Sequence, residues 1–283
     1  MKSTGINTFR RFKLYGLSLF FFTFSLSFKA VSQENDKQIF DKVMKTSLPA
    51  GKAQRILKIA EYFQESPYVA NTLDINPKEE LVVNLRDFDC ATFVESCIAL
   101  GLTTDQSFET FQKNLQKLRY RGGKIEHYGS RLHYFNDWLS ENERKGIIKN
   151  VSRECGGKPF VKVVDFMTAH VGKYPQLENY RALEAVRMAE VNLDKQKLFF
   201  IPKTLVSKIE NYISDGDIIA ITTSLKGLDV SHEGFAIRQN GRIHLLHASL
   251  DLKKVVITNE PLAEYLAKHP AQTGIMVARI AGN

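Results

Sequence analysis

Cys90, His232 and His247 are the residues of this chain whose types and placement could support nucleophilic catalysis. Cys90 follows a short apolar, extended segment and opens a stretch with helical spacing, so we expect its thiol at the first turn of a helix. Free backbone N–H groups and the helix dipole favour a thiolate there. A cysteine, a histidine that removes its proton and a third group that orients the histidine make up an acyl-transfer nucleophile.

The two histidines are predicted to lie together on a β-hairpin. Apolar and polar residues alternate on both sides of Asn240-Gly241, which is a strong hairpin signal. Pairing around that turn places Arg238 opposite Ile243. His232 and His247 then become diagonal neighbours on one face, about 5–8 Å apart. This is the relation that a catalytic base and its orienting partner need.

The elements around these residues change character along the chain. The first part shows helical spacing and the last part shows strand-like segments separated by turns, which predicts an α+β fold with antiparallel strands. Between them, residues 121–205 are predicted to form an irregular, partly helical insertion. The expected helices cover 36–44, 52–63, 90–101, 104–120, 133–142 and 182–191, and the expected strands cover 217–221, 231–238, 242–248, 253–258 and 274–280.

The first 32 residues resemble an export signal. A basic stretch, 10–13, precedes an apolar run, 14–28, and Ala30-Val31-Ser32 supplies the small residues of a cleavage site. A membrane anchor is the alternative, but the run is shorter than the ~20 residues of a spanning helix. We therefore expect cleavage near Ser32, a single domain from 33 to 283, and a periplasmic or secreted protein without stable membrane insertion.

Charge and length exclude few classes of protein. The chain has 283 residues and a net charge of +8, but five basic residues and no acidic residue fall in the first 32, so the remainder carries only +3. Nucleic-acid binding would need a clustered basic face, which the sequence does not show. We therefore expect no nucleic-acid partner.

The three cysteines leave the state of the nucleophile open. Cys90 and Cys97 are seven residues apart on one expected helix, about 10 Å, which is too far for a disulfide. An odd number of cysteines in an exported protein indicates at least one free thiol. A Cys90–Cys155 bridge is compatible with the sequence and would abolish the nucleophile.

The chain resembles the NlpC-type cell-wall peptidases, a papain-like family of cysteine hydrolases. Five segments match the family's motifs in the family's order, within residues 67–97 and 214–250. The resemblance implies a papain-like core, with the nucleophile helix packed on an antiparallel sheet or barrel. It also implies Cys90 as nucleophile, His232 as base, His247 as third residue and Tyr68 as an oxyanion donor. The matching segments are Pro67-Tyr68, Asp89-Cys90-Ala91-Thr92-Phe93, Asp215-Gly216-Asp217-Ile218-Ile219, Ser231-His232-Glu233-Gly234-Phe235 and His247-Ala248-Ser249.

Residues within the insertion resemble one subgroup of this family. Residues 128–138 are similar to a subgroup described as N-acetylmuramoyl-L-alanine amidase-like, so 121–205 is expected to act as a substrate-binding subdomain. Arg131 could pair with a substrate carboxylate in bidentate fashion. A solvated cluster at a helix start is the alternative. The candidate substrate contacts in this segment are Tyr128, Ser130, Arg131 and His133.

The expected function is cleavage of the amide bond between muramic acid and L-alanine in peptidoglycan fragments, by a monomer that needs no cofactor or metal. Two alternatives remain open, a stem-peptide endopeptidase of the D-glutamyl-diaminopimelate type and a non-catalytic wall-binding module. A zinc hydrolase is disfavoured because no HExxH or paired CxxC motif is present.

Overall fold

A computed structural model describes residues 35–282, so the expected signal peptide and its cleavage site lie outside the described residues. The described part is a mixed structure of helices and one antiparallel sheet, which confirms the α+β class. The helices are α1 (Asp36–Met44), α2 (Lys52–Tyr62), α3 (Cys90–Gly101), α4 (Phe108–Arg119), α5 (Phe135–Arg144), α6 (Phe166–Ala169), α7 (Tyr180–Leu193), α8 (Val206–Ile209) and α9 (Leu262–Ala267). The strands are β1 (Ile148–Asn150), β2 (Lys158–Pro159), β3 (Phe199–Pro202), β4 (Ile218–Thr223), β5 (Val230–Gln239), β6 (Arg242–Ser249), β7 (Lys254–Ile257) and β8 (Gln272–Ile280).

The sheet is ordered β2-β3-β8-β4-β5-β6-β7, and β1 pairs with the other part of β8. The hairpin of β5 and β6 has the predicted register, with Arg238 opposite Ile243. Asn240 and Gly241 both adopt positive φ, 50° and 80°, as a tight two-residue hairpin turn requires. The sequence therefore set the alignment of the two histidine-bearing strands correctly.

Apolar side chains cover both faces of the sheet. One cluster joins α1 to α5 to one face, where Phe93 of α3 contacts Phe235 of β5 with ring centroids 5.8 Å apart. A second cluster joins α8 and α9 to the opposite face through residues such as Ala236 and Leu262. Helix α3 is thus fixed against β5, which carries His232.

The segment 121–205 has a small core of its own, but it also contributes strands to the main sheet. Its core includes Tyr134, Met167 and Val186. β1 and β3, which belong to this segment, both pair with β8. Among the helices of residues 35–282, none combines the length and the apolar character that crossing a bilayer demands.

Candidate active site

Cys90 is the first residue of α3, as predicted. Asp89 caps the helix, because its carboxylate accepts a hydrogen bond from the Thr92 backbone N–H at 2.8 Å while the Asp89 N–H donates to the Thr92 hydroxyl at 2.9 Å. This reciprocal capping box fixes the first turn. The thiol is half-buried, and the nearby backbone N–H groups of Ala91 and Glu233 act to lower its pKa.

The backbone N–H of Glu233 can face the thiol because the pairing of β5 with β6 ends before it reaches this residue. Ala236 directs its backbone groups to the β4 side, so those of Glu233, three residues earlier, point to the β6 side. Pairing between β5 and β6 ends at Phe235 and Leu246. Helix α3 occupies the opening beyond that point, and Cys90 lies beside the strand residue that follows His232.

His232 and His247 contact each other directly. Nε2 of His232 lies 2.5 Å from Nδ1 of His247, and the two rings are nearly perpendicular at a centroid distance of 4.8 Å. The contact engages Nε2 of His232 and leaves its Nδ1 outside it. Gly234 permits the contact, because a Cβ at this position would lie 2.6 Å from the Leu246 carbonyl oxygen and 2.8 Å from Cβ of His247.

Burial dominates the electrostatics of this group. It lowers the pKa of His232 to about 4 and that of His247 to about 3, so both imidazoles are neutral at pH 7. Burial, Glu233 and Asp89 together raise the pKa of the Cys90 thiol, against the smaller opposite effect of the two N–H donors. The expectation that the helix start by itself favours a thiolate is therefore wrong for this environment.

Tyr68 lies on a segment that pairs with the residues just before Cys90, and its role as an oxyanion donor stays a prediction. Val69 N–H donates to the Phe88 carbonyl at 2.9 Å and Phe88 N–H donates to the Pro67 carbonyl at 3.0 Å, so the Tyr68 segment runs beside the approach to α3. Burial, Cys90 and Asp89 raise the pKa of Tyr68 to about 12. Its hydroxyl therefore keeps its proton at neutral pH and can donate a hydrogen bond.

The four candidate contacts of the insertion have partners within the protein. Arg131 is buried, with Nη2 at 2.9 Å from carboxylate oxygens of both Asp74 and Glu79. These ion pairs occupy the positive charge that was expected to pair with a substrate carboxylate. The guanidinium also lies over the Tyr128 ring, 4.8 Å from its centroid.

Ser130 and His133 complete the same turn. The Ser130 hydroxyl donates to the His127 carbonyl at 2.6 Å, and His133 Nε2 donates to the Tyr128 carbonyl at 2.8 Å. Burial lowers the pKa of His133 to about 3. Beside them lies a cavity of about 400 Å³, which Asp74, Tyr128 and Arg131 help to line. The structure does not bring these side chains to Cys90, and their role as substrate contacts stays a prediction.

The remaining thiols do not bind Cys90. Cys90, Cys97 and Cys155 are all free, so the Cys90–Cys155 bridge that the sequence left open is not formed. Cys155 is buried, with its sulfur 3.7 Å from the Tyr212 carbonyl oxygen. Within residues 35–282 there is no group of three or more His, Cys, Asp or Glu side chains arranged to hold a metal ion.

Three residues near the histidines were not found from the sequence. Tyr265 of α9 contacts the His247 ring at a centroid distance of 5.6 Å, and His269 stacks on Tyr265 at 4.3 Å. Nε2 of His269 lies 3.7 Å from the Asp251 carboxylate. The i, i+4 spacing of Tyr265 and His269 was the available signal, but the short helix that carries them was not predicted.

Comparison with known proteins shows the family to which the chain belongs. A family model described as AmiA-like, N-acetylmuramoyl-L-alanine amidase-like, matches residues 58–275. A solved structure of an N-acetylmuramoyl-L-alanine amidase from Bacteroides uniformis is 36% identical, with a TM-score of 0.78 over 82% of this chain and 99% of that one. No curated protein matches the chain.

Two further structures extend the comparison. A Bacteroides fragilis protein described as a candidate xylanase is 36% identical, with a TM-score of 0.75 over 79% of this chain and 100% of its own. A Legionella pneumophila protein is 22% identical with a TM-score of 0.64, over 87% of this chain and 93% of its own, and supports the fold alone. From the family match and the identity to its solved relatives, the chain belongs to the N-acetylmuramoyl-L-alanine amidase-like family.

Proposed function

We propose that this protein hydrolyses the amide bond between N-acetylmuramic acid and L-alanine in peptidoglycan fragments by cysteine acyl transfer on a papain-like core. One observation carries the proposal: Cys90 opens α3, which packs against β5 through Phe93 and Phe235, and on that strand His232 contacts His247 through Nε2. Nucleophile, base and orienting group occur in this order in acyl-transfer sites. The family supplies the bond, since its solved Bacteroides uniformis member bears the amidase name.

The proposed reaction proceeds in two halves. Nδ1 of His232 takes the thiol proton as Sγ attacks the lactyl carbonyl of the muramoyl group. The Tyr68 hydroxyl donates a hydrogen bond to the oxyanion, for which a single donor is typically worth ~3 kcal/mol. His232 returns the proton to the alanine nitrogen, the C–N bond breaks, and the stem peptide leaves. Water, deprotonated by His232, then cleaves the muramoyl thioester.

At neutral pH His232 is neutral and can accept a proton, but the raised pKa of the Cys90 thiol makes the transfer uphill, so the transfer is coupled to attack on the carbonyl carbon. His247 accepts the Nε2 proton of His232 and so supports the charged form of the base. Export to the periplasm or the medium, with removal of 1–32, would bring the enzyme to its wall substrate. Monomeric function is part of the same proposal.

Mass spectrometry of digested muropeptides tests the proposal. The mature chain should release stem peptides that begin with L-alanine and leave the sugar intact, and Cys90→Ala should abolish release while Cys155→Ala, at a thiol remote from the site, retains it. An L-alanyl-D-glutamyl stub left on the sugar would indicate the endopeptidase instead. Shortened glycan chains without release of stem peptide would exclude amide hydrolysis and indicate a glycosidase instead. Binding without turnover, unchanged in Cys90→Ala, would leave only a wall-binding module.

A further inference from the structure

The cavity of about 400 Å³ beside Arg131 lies between the insertion and the segment 69–89, which leads from the first catalytic motif to α3. Its lining includes Asp74 and Glu79 of that segment and His127 and Arg131 of the insertion. The volume is within the range of small-ligand sites. The proposed acyl transfer uses none of these four side chains, so the cavity is available for a role of its own.

Arg131 connects the two sides of the cavity. Its Nη2 lies 2.9 Å from a carboxylate oxygen of Asp74 and 2.9 Å from one of Glu79. Both oxygens of Glu79 are engaged, because the other one accepts from the Tyr120 hydroxyl at 2.7 Å, and the side chain is only 7% exposed. The Asp74 side chain is 33% exposed, so its carboxylate is the one that a ligand can reach.

Among residues 35–282, two buried nitrogen atoms of this lining have no hydrogen-bond partner. One is Nε of Arg131, whose side chain is only 8% exposed, and the other is Nδ1 of His127. Buried polar groups without a partner destabilise a folded protein, and native structures keep few of them. A carboxylate that enters the cavity would supply the acceptor that Nε of Arg131 lacks.

The cavity also carries an excess of negative charge. Within the described part of the chain, its acidic side chains are Asp74, Glu79 and Glu126 and its basic side chains are Lys78 and Arg131, which leaves one negative charge. An ammonium group would be attracted to Asp74, the accessible acid. A carboxylate alone would be repelled by the acids, and an ammonium alone would leave the buried Nε unpaired. The lining therefore fits a ligand that carries both groups.

The wall of the cavity is fixed in place. A Cβ on Gly129 would lie 2.4 Å from the Ala182 carbonyl oxygen, so the turn that precedes Arg131 packs directly on the first turn of α7. The Tyr128 ring contacts both the Arg131 guanidinium, 4.8 Å from its centroid, and the His133 ring, at 4.4 Å. The site is thus formed before a ligand enters, which reduces the entropy lost on binding.

We propose that this cavity binds a zwitterionic amino-acid head group, with its ammonium against Asp74 and its carboxylate against Nε of Arg131. The inference deepens the proposed function and rests on it for the identity of the ligand. The side chain of diaminopimelate, the third residue of many stem peptides, ends in such a group. Arg131 then meets a substrate carboxylate through Nε, while Nη2 stays in its ion pairs.

Histidine NMR with three small probes tests the site without any wall substrate. meso-Diaminopimelate should shift the imidazole signals of His127 in a saturable titration and leave those of His269, which lines a separate cleft beside His247, unchanged. Pimelate lacks the ammonium groups and 1,5-diaminopentane lacks the carboxylates, so each should bind about tenfold more weakly or worse. Equal affinity for either probe, or shifts at His269 in place of His127, would overturn the inference.

Asp74→Asn is the decisive variant, because it removes the accessible charge and leaves Glu79 paired with Arg131. It should weaken diaminopimelate binding by about tenfold or more and leave the weak binding of pimelate no weaker, whereas a distorted cavity would weaken both. Asp41→Asn, at an exposed ion pair with Lys37 in α1, is the matched control and should bind as the parent does. If Asp74→Asn does not fold, the ranking of the three probes on the parent still decides.

Muropeptide kinetics separate the inference from the proposed function. A stem peptide that reaches diaminopimelate should have a lower KM than one that ends at D-glutamate, and Asp74→Asn should remove this difference. Cleavage with the same KM for both stems would overturn the inference and keep the proposed function. Saturable diaminopimelate binding by a protein that cleaves no muropeptide would support the site and remove the proposed function.

Discussion

At the scale of single residues, the surroundings of the Cys90 thiol disfavour its ionisation. Burial and the nearby acids Glu233 and Asp89 raise the pKa of Cys90, and only the N–H groups of Ala91 and Glu233 work in the other direction. Burial also keeps His232 neutral. In the proposed mechanism, a neutral thiol therefore faces a neutral base, and ionisation of the thiol is coupled to proton transfer.

This coupling predicts an enzyme that tolerates acid. The pKa of His232 is lowered from 6.5 to about 4, so the base stays unprotonated as the pH falls from 7 through 6 to 5. We expect kcat/KM for muropeptide cleavage to stay nearly constant over that range and to fall by half near pH 4 to 5. A pH–rate profile measures this directly. A midpoint at 6 or above would mean that His232 is not the group that must be neutral.

Substitution of Gly234 gives a second prediction at this scale. A Cβ at this position would meet the Leu246 carbonyl oxygen and Cβ of His247, so Gly234→Ala should displace His247 from His232. Misplacement of a catalytic group by about 1 Å can reduce the rate about 100-fold. We expect a loss of that order in kcat with folding retained, measured by turnover and circular dichroism. Gly172→Ala, where a Cβ meets nothing within 4 Å, is the control and should keep full activity.

The sequence was sufficient to predict which elements carry the three candidate catalytic residues and how the two histidines are aligned. Strand alternation and one Asn-Gly turn put His232 and His247 on the same face, and a capping residue put Cys90 at a helix start. Asp251, Tyr265 and His269 were not predictable in this way. They reach His247 from a turn and a short helix whose position depends on packing against the sheet. Arg131 was expected to be free because its acidic partners lie more than 50 residues away.

At the scale of secondary-structure elements, a buried ion pair connects α3 to α4. Nε of Arg119, in α4, lies 2.6 Å from the Glu95 carboxylate, and both side chains are almost fully buried. The same guanidinium donates to the Val82 carbonyl at 2.7 Å, which ties down the segment that precedes Cys90. The pair thus connects the nucleophile helix, its neighbour and the loop between Tyr68 and Cys90.

Breaking this pair should destabilise the protein strongly. Arg119→Met leaves the Glu95 carboxylate buried without its partner, which typically costs about 3–5 kcal/mol. Urea unfolding, followed by circular dichroism, should show a loss of that order, and Glu95→Gln with Arg119→Met should recover part of it. Lys113→Gln, which removes an exposed ion pair with Glu109, should change little. Equal small effects for both pairs would contradict a structural role for Arg119.

The elements were predicted well where they are long and regular. Helices α1 to α5 and α7 and strands β4 to β8 lie within a few residues of their expected positions. Strands β1 to β3 were missed because they have two to four residues, too few for a period to be read. The six-residue helix α9 was missed for the same reason. Segment 81–85 was expected to be extended, and it forms no strand.

At the scale of the whole molecule, the insertion and the catalytic part are joined at a few points. β1 and β3 add the insertion to the sheet through β8. Asp229 adds a further link, because its carboxylate accepts from the Asn136 backbone N–H in α5 and from Val230 at the start of β5, both at 2.8 Å. A change in the insertion can therefore reach the strand that carries His232. Cooperative unfolding of 35–282 as one unit follows from these links.

Asp229 predicts how the stability of this unit depends on pH. Burial raises its pKa from 3.8 to about 6, so the folded protein binds the proton more tightly than the unfolded chain does. Its favourable contribution is complete below pH 3.8 and is lost as the pH rises through 6. Relative to Asp229→Asn, which cannot ionise, the free energy of unfolding of the parent should fall by about 1–3 kcal/mol between pH 4 and pH 7. Urea unfolding at unit pH intervals measures the difference.

Asp41→Asn, at an exposed ion pair with Lys37, is the control and should leave the parent's pH dependence of stability unchanged. A parent and an Asp229→Asn protein with parallel curves would show that the carboxyl ionises equally easily in both states, and that its two hydrogen bonds offset the burial.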